Sequence, residues 1–199
     1  MGNIELNGFD EYKSKLYQKL DTKFEEFDKK NSFNKMKREE FEKYLINKYS
    51  NLFEYWDEIK EYFDKGFNFQ QIRKDWLGKG KRLPVIMFWT EFDSWWNNLL
   101  VFVFEQLKKI LSDGIVSLIH IEQLKEKFWE MRVYLSYKKR EDSKELKSLK
   151  EIEKDINFTN PFDIERYATY KSKLICEVCG KPGTLKSDGW LKTTCREHQ

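Results

Sequence analysis

The chain has 199 residues, 37 basic and 34 acidic side chains and 2 histidines, for a formal net charge of +3. That length makes one domain, or one domain with a small appendage, and 16 Phe, 10 Tyr and 7 Trp supply enough buriable area to exclude a disordered chain. A charge so close to neutral does not by itself announce a polyanionic partner. No apolar run reaches the roughly 18 residues that a membrane span requires, and no basic-then-apolar stretch marks a signal peptide, so neither is expected. Three cysteines cannot all pair with one another. This argues against a disulfide framework and for a reducing, cytoplasmic compartment.

Phe9, Leu16, Leu20, Phe24 and Phe27 recur at helical spacing with Lys and Glu between them, which predicts an amphipathic first helix. Asn31 and Ser32 interrupt it. Phe41, Tyr44 and Leu45 open a second segment that breaks at Ser50-Asn51, and Leu52, Tyr55, Trp56, Ile59 and Phe63 line a third that stops near Gly66. Asn68 is placed to cap a short helix over residues 67–78 carrying Phe69, Ile72 and Trp76. A basic loop, Gly78-Lys79-Gly80-Lys81-Arg82, follows. The last two helices have the spacing of a helix-turn-helix, but the second is short and runs into Pro84-Val85-Ile86-Met87-Phe88-Trp89. A recognition helix should instead offer polar and basic side chains to base edges.

Residues 93–112 are the most apolar stretch, from Trp95 and Trp96 to Ile110 and Leu111. They predict a central buried helix with Lys108 and Lys109 in its last turn and Gly114 as its stop. Residues 116–137 allow two readings. Ile121, Leu124, Phe128, Met131 and Leu135 fit a helix, whereas Arg132 to Tyr137 is rich in strand formers. The densely charged residues 138–153 read as an exposed helix or linker, and Asn160-Pro161 opens a further helix with Pro161 in its first position.

The sharpest signal lies in the tail. Cys176 and Cys179, then Cys195 and His198 after fifteen intervening residues, form a C-x2-C-x15-C-x2-H pattern. Two ligands three residues apart converge on one ion when the backbone turns tightly between them, and Gly180 gives the freedom that such a knuckle needs. A β-hairpin, with turns at Pro182-Gly183 and Asp188-Gly189, would bring up the second pair. Three thiolates and an imidazole make a closed tetrahedral set that suits one zinc ion in a structural role, because no position remains for a reactive water. Such a site carries −1, which Lys173, Lys181, Lys192 and Arg196 are near enough in sequence to offset.

Gln123–Tyr134, followed by this C-E-x-C-G-x-P-G tail, resembles a group of phage, prophage and bacterial proteins. In that group a K-E-K-F-G-x-L-R-x-Y segment precedes a C-terminal zinc knuckle. Residues 45–53 are similar to the group's L-x-x-K-Y-P-x-L-F segment, with Ser50 in the proline slot. Trp96, Leu99 and Leu100 resemble its W-x-x-L helix, and Ala168 and Ser172 resemble its approach to the first cysteine. Trp129 stands where the group has glycine, and Met131 where it has leucine. That glycine implies a hairpin turn, while Trp129 counts against one. The hairpin is the reading carried forward. The resemblance implies a structural zinc and a phage, mobile-element or bacterial cytoplasmic origin, and it implies no reaction.

The expected fold class is therefore mainly α (α+β). A helical domain over residues 1–170 includes a hairpin near 116–137, and a zinc knuckle over 171–199 is docked on it. With His198 given to the metal, His120 is the one histidine left, and its place between Ile119 and Ile121 suits a structural role. Gly78-Lys79-Gly80-Lys81 lacks the preceding strand and the length of a phosphate-binding loop, so an enzyme is not expected. The aromatic load and mixed-charge helices favour a protein partner engaged by an adaptor, inhibitor, anti-defence or immunity-type factor. The alternative is RNA, DNA or ribonucleoprotein binding, with Lys79, Lys81, Arg82, Lys138, Lys139 and Arg140 gathered into one patch. A knuckle too small to cover Val178, Leu185, Trp190 and Leu191 should pack them on the body, with Arg132 and Tyr134 holding Trp190 as the docking anchor.

Overall fold

Leu16, Leu20 and Phe24 are buried on one stripe of α1 (Gly8–Lys30), and the charged residues between them face outward, as the sequence period requires. The computed structural model describes residues 8–53, 56–80, 94–110, 119–137, 160–186 and 191–199. A 3-10 turn at Phe33–Lys35 leads into α2 (Arg38–Tyr49), and another at Ser50–Leu52 ends it where Ser50-Asn51 break the apolar pattern. Next come α3 (Trp56–Asp64) and α4 (Phe69–Gly78). The start of α4 is fixed by a capping box in which Asn68 Oδ1 accepts from Gln71 N at 2.9 Å and Gln71 Oε1 accepts from Asn68 N at 2.8 Å. A 3-10 turn at Ser94–Trp96 precedes α5 (Asn97–Ile110). Strands β1 (Ile119–Lys127) and β2 (Glu130–Tyr137), helix α6 (Pro161–Ser172), and the short strands β3 (Thr184–Lys186) and β4 (Lys192–Thr194) follow. The architecture is mainly helical with small antiparallel hairpins and a Cys/His knuckle at the C-terminal end.

One expected element is redistributed. Leu52 belongs to the 3-10 turn and not to the third helix, and Phe53 forms a parallel bridge with Ile121 of β1. Gly114, the turn at Asp188-Gly189 and the charged stretch 138–153 lie outside the described residues.

Helix α5 forms the centre because it is apolar on every side: Leu99 to Phe104, and Leu107, are all buried. The Phe102 ring lies 5.4 Å from Phe24, 5.7 Å from Phe27 and 6.2 Å from Tyr167, so one side chain ties α5 to α1 and α6. A buried helix start must satisfy its free N–H groups. Asn34 does this from a distance in sequence, its Oδ1 accepting from Asn98 N at 2.9 Å, while Asn98 Nδ2 donates to Asp28 Oδ1 at 2.6 Å. Farther along α5, Glu105 accepts from Tyr49 Oη at 2.5 Å and pairs with Lys48 at 2.7 Å. Burial raises the Glu105 carboxyl, but these two donors outweigh it and hold the group below the usual carboxylate range.

The hairpin reading of residues 116–137 is the one that forms. Strands β1 and β2 pair antiparallel from Ile119↔Tyr137 to Lys127↔Glu130, with a bulge between Ile121 and Gln123. Phe128 and Trp129 make the two-residue turn at φ 54° and 60°, which is the left-handed pair that a tight hairpin demands. Trp129 thus adopts the conformation for which glycine is suited, at a steric cost of about 1–2 kcal/mol. An isolated two-stranded ribbon is marginal in water. Here the bridge from Phe53 covers one edge, and α6 covers the other. Ser172 Oγ accepts from Met131 N at 2.9 Å, and Thr169 Oγ1 donates to Met131 O at 3.0 Å, so two hydroxyls replace the missing strand.

Truncating the ring that joins three helices should leave a large void. Phe102→Ala is expected to lower unfolding free energy by about 3–5 kcal/mol. Phe128→Ala, at a ring 65% exposed, should change it by no more than about 0.5 kcal/mol. Urea titrations followed by tryptophan fluorescence check both values.

Candidate metal centre

Helix α6 carries the chain from the body to the knuckle. Its N-terminus is capped by Asn160, whose Oδ1 accepts from Phe162 N at 2.9 Å, with Pro161 in the first turn as the sequence predicts. Tyr167 Oη donates to Asp21 Oδ1 at 2.8 Å and Lys171 pairs with the same oxygen at 2.8 Å, fastening α6 to α1. Ser172 ends the helix on β2, and Cys176 follows within four residues. The first ligand therefore inherits the position of a helix held on two sides.

Beyond α6 the backbone builds the knuckle. Cys176 N donates to Lys181 O at 2.7 Å and Gly180 N donates to Cys176 O at 2.9 Å, closing the turn that holds Cys176 and Cys179 side by side. Gly180 sits at φ 74°, and a side chain there would also meet Asn34 Nδ2 at 2.6 Å. Strands β3 and β4 pair from Thr184↔Thr194 to Lys186↔Lys192 and return the chain to Cys195. Thr193 fastens the return, its N–H donating to Glu177 Oε1 at 2.8 Å and its hydroxyl to Lys173 O at 3.1 Å. The 3-10 turn Arg196–His198 then aims the imidazole back at the cysteines.

The four ligand atoms lie within 4.8 Å of one another, with Cys176 and Cys195 buried. Cys179 Sγ is 3.7 Å from Cys195 Sγ, and His198 Nδ1 is 3.2 Å from Cys195 Sγ and 3.6 Å from Cys176 Sγ. A tetrahedral ion with sulfur at about 2.3 Å sets S···S edges of about 3.8 Å and slightly shorter S···N edges. The donor set fits a metal ion, which His198 would hold through Nδ1, the ring nitrogen that faces the sulfurs. Burial raises the Cys176 thiol, but backbone N–H groups of Val178, Cys195 and Cys179 outweigh it and hold the group at about 6. Cys179 is pushed up to about 11, by burial first and then by its bonds to the other two sulfurs. Cys176 is thus favoured as the thiolate a cation needs, whereas Cys179 must give up a more firmly held proton to bind one.

Several expected residues fall elsewhere. Lys181 turns to Glu197, with contacts of 2.8 and 2.7 Å, and Lys173 pairs with Glu130 of the hairpin at 2.5 Å. Val178 and Leu185, expected to pack on the body, are 63% and 47% exposed. Arg132 pairs with Glu130, and Tyr134 lies beneath Lys125, whose Nζ is 4.9 Å from the ring centre. Trp190, their expected partner, lies outside the described residues. So do Lys81, Arg82, Lys138, Lys139 and Arg140; of that expected patch Lys79 alone is described, in an ion pair with Asp75 at 2.7 Å. His120 is buried on β1. The sequence reading missed Asn34 and Thr193, which touch or brace the knuckle without a local signal of that role, and it named Gly183 as a turn residue without its close approach to Cys176.

No described helix is long and apolar enough to cross a membrane. No protein-family model, no curated protein and no solved structure matches the chain.

Gly183 offers a direct test of how tightly the knuckle is wound. A Cβ there would lie 2.9 Å from Thr193 Cγ2 and 3.0 Å from Cys176 N, which is backbone that cannot yield without moving a ligand. Gly183→Ala should weaken metal retention at least tenfold in a chelator competition. Asn34→Ala, which removes only a neighbouring side chain, should leave retention within about twofold while lowering the melting temperature, because the N–H of Asn98 loses its acceptor.

Proposed function

We propose that this chain is a non-catalytic interaction protein whose C-terminal knuckle is closed by one structural zinc ion. The observation that carries the reading is the completeness of the set formed by Cys176, Cys179, Cys195 and His198. Four donors converging on one point would fill a tetrahedral set and leave no open position at which a metal could activate water. Three soft sulfurs and one imidazole favour zinc among the abundant divalent ions. Thiols kept for a metal suit a reducing compartment, so a cytoplasmic location is part of this proposal. The resemblance of Gln123–Tyr134 and the knuckle to phage and bacterial proteins supports an origin of that kind.

The partner in this reading is a protein. Leu174, Val178 and Leu185 leave apolar surface exposed on and beside the knuckle, and a rigid metal-held turn presents such side chains at little entropic cost. An adaptor, inhibitor, anti-defence or immunity-type factor would use them to occupy a partner's surface.

Elemental analysis of freshly purified protein should give one zinc per chain. Because the Cys179 thiol must lose its proton on binding, zinc affinity should fall as pH drops from 8 towards 6, with proton release measurable by calorimetry in buffers of different ionisation enthalpy. Cys179→Ser should abolish stoichiometric zinc. Affinity capture with the native chain should recover a protein that Val178→Asp/Leu185→Asp loses while keeping its zinc. Zinc well below one per chain, or capture indifferent to those two changes, would sink the respective half of the reading.

A further inference from the structure

One face of the hairpin carries a charge pattern that the fold itself does not need. Alternation along β2 buries Met131, Val133 and Leu135, and Leu124 of β1 lies opposite Val133. Lys125, Lys127, Arg132 and Tyr134 therefore stand on the other face. Lys125 lies directly across from Arg132, a like-charge pair that weakens a ribbon. Lys173 reaches the same group through Glu130, which pairs with both Arg132 and Lys173. Glu130 thus engages two of the four cations, while Lys125 donates to Gln123 Oε1 at 2.8 Å and Lys127 lies over the Phe128 ring. Glu126 is in register with Met131 and belongs to the opposite side.

Aromatic rings are interleaved with these cations. Lys125 Nζ lies 4.9 Å from the Tyr134 ring centre and Lys127 Nζ lies 5.2 Å from that of Phe128. Phe128 is the most exposed of the large apolar side chains described, at 65%, and it is held there by a left-handed turn that L-residues avoid. Glycine at either turn position would relieve the backbone. The sequence keeps two bulky rings instead, and the exposure of Phe128 means that the core does not repay the strain.

We propose that this face binds single-stranded nucleic acid. Phe128 stacks on a base, and Lys125, Lys127, Arg132 and Lys173 meet the phosphates. An exposed ring between cations is the combination that single strands require, because every base offers a π face and every linkage a negative charge. Lys125 and Lys127, two residues apart on one strand, are spaced by about 7 Å, which suits successive phosphates of an extended strand. The inference goes beyond the protein-partner reading, uses different residues and does not depend on it.

Fluorescence anisotropy of the full chain with fluorescein-labelled oligouridine and oligothymidine of about 12 nucleotides, beside a duplex of equal length, tests the proposal. Both single strands should bind at low salt, and more tightly than the duplex. Phe128→Ala should weaken binding by about 5- to 100-fold. Lys125→Gln and Lys127→Gln should each reduce the salt slope by about 0.7. Trp129→Gly, which relaxes the turn, serves as the folded comparison, and thermal melting confirms that each variant is intact. The proposal is overturned if neither single strand binds at low salt, if affinity ignores the Phe128 and lysine changes, or if the duplex is preferred. It is equally overturned if the hairpin variants lose a captured protein while no oligonucleotide binds.

Discussion

Everything at the C-terminal end depends on how helix α6 is held. Its Tyr167 and Lys171 converge on Asp21 of α1, and its Thr169 and Ser172 hydroxyls take both backbone groups of Met131 on β2. The helix therefore performs two tasks at once. It closes the open edge of a two-stranded ribbon, and it fixes the point from which the knuckle starts. Ala168 is fully buried, so a larger side chain there would have to displace its neighbours.

Polar contacts help to couple the knuckle to the body, beside the buried side chain of Ile175. Asn34 accepts from the first turn of α5 and also lies against Gly180, so one side chain touches both the central helix and the metal turn. Lys173 and Glu130 join the knuckle's entry to the hairpin. Buried and half-buried polar contacts of this kind contribute modestly when made and cost more when broken. A disturbance of the Cys/His turn should accordingly be felt at the start of α5, without dismantling the aromatic centre around Phe102.

Strain and exposure coincide at one place among the described residues. Phe128 and Trp129 are the non-glycine residues there with positive φ, and they form the tip of the ribbon whose outer face gathers Lys125, Lys127 and Arg132. A fold optimised only for stability would place Asn-Gly at such a turn. Departures from the locally favoured residue concentrate where a surface is used, and such a departure lies at this tip.

The helices were legible in the sequence because their determinants are local. Leu16, Leu20 and Phe24 mark one face, Asn68 and Gln71 write a cap, and the apolar residues from Trp96 to Leu107, with Lys108 and Lys109 after them, favour a central helix. The ligand set was legible for the same reason, since short spacings limit where Cys176, Cys179, Cys195 and His198 can go. The hairpin was not, because Ile121, Leu124, Met131 and Leu135 satisfy a helical period as well as a bulged strand. Edge contacts from Phe53 and Ser172, remote in sequence, settled that choice. The same holds for Asn34 beside Gly180, for Lys173 drawn to Glu130 and for Val178 and Leu185 left exposed. Periodicity and spacing report which groups must be buried or must converge. Only the packed chain decides which distant partner satisfies each one, because that depends on distances no local pattern encodes.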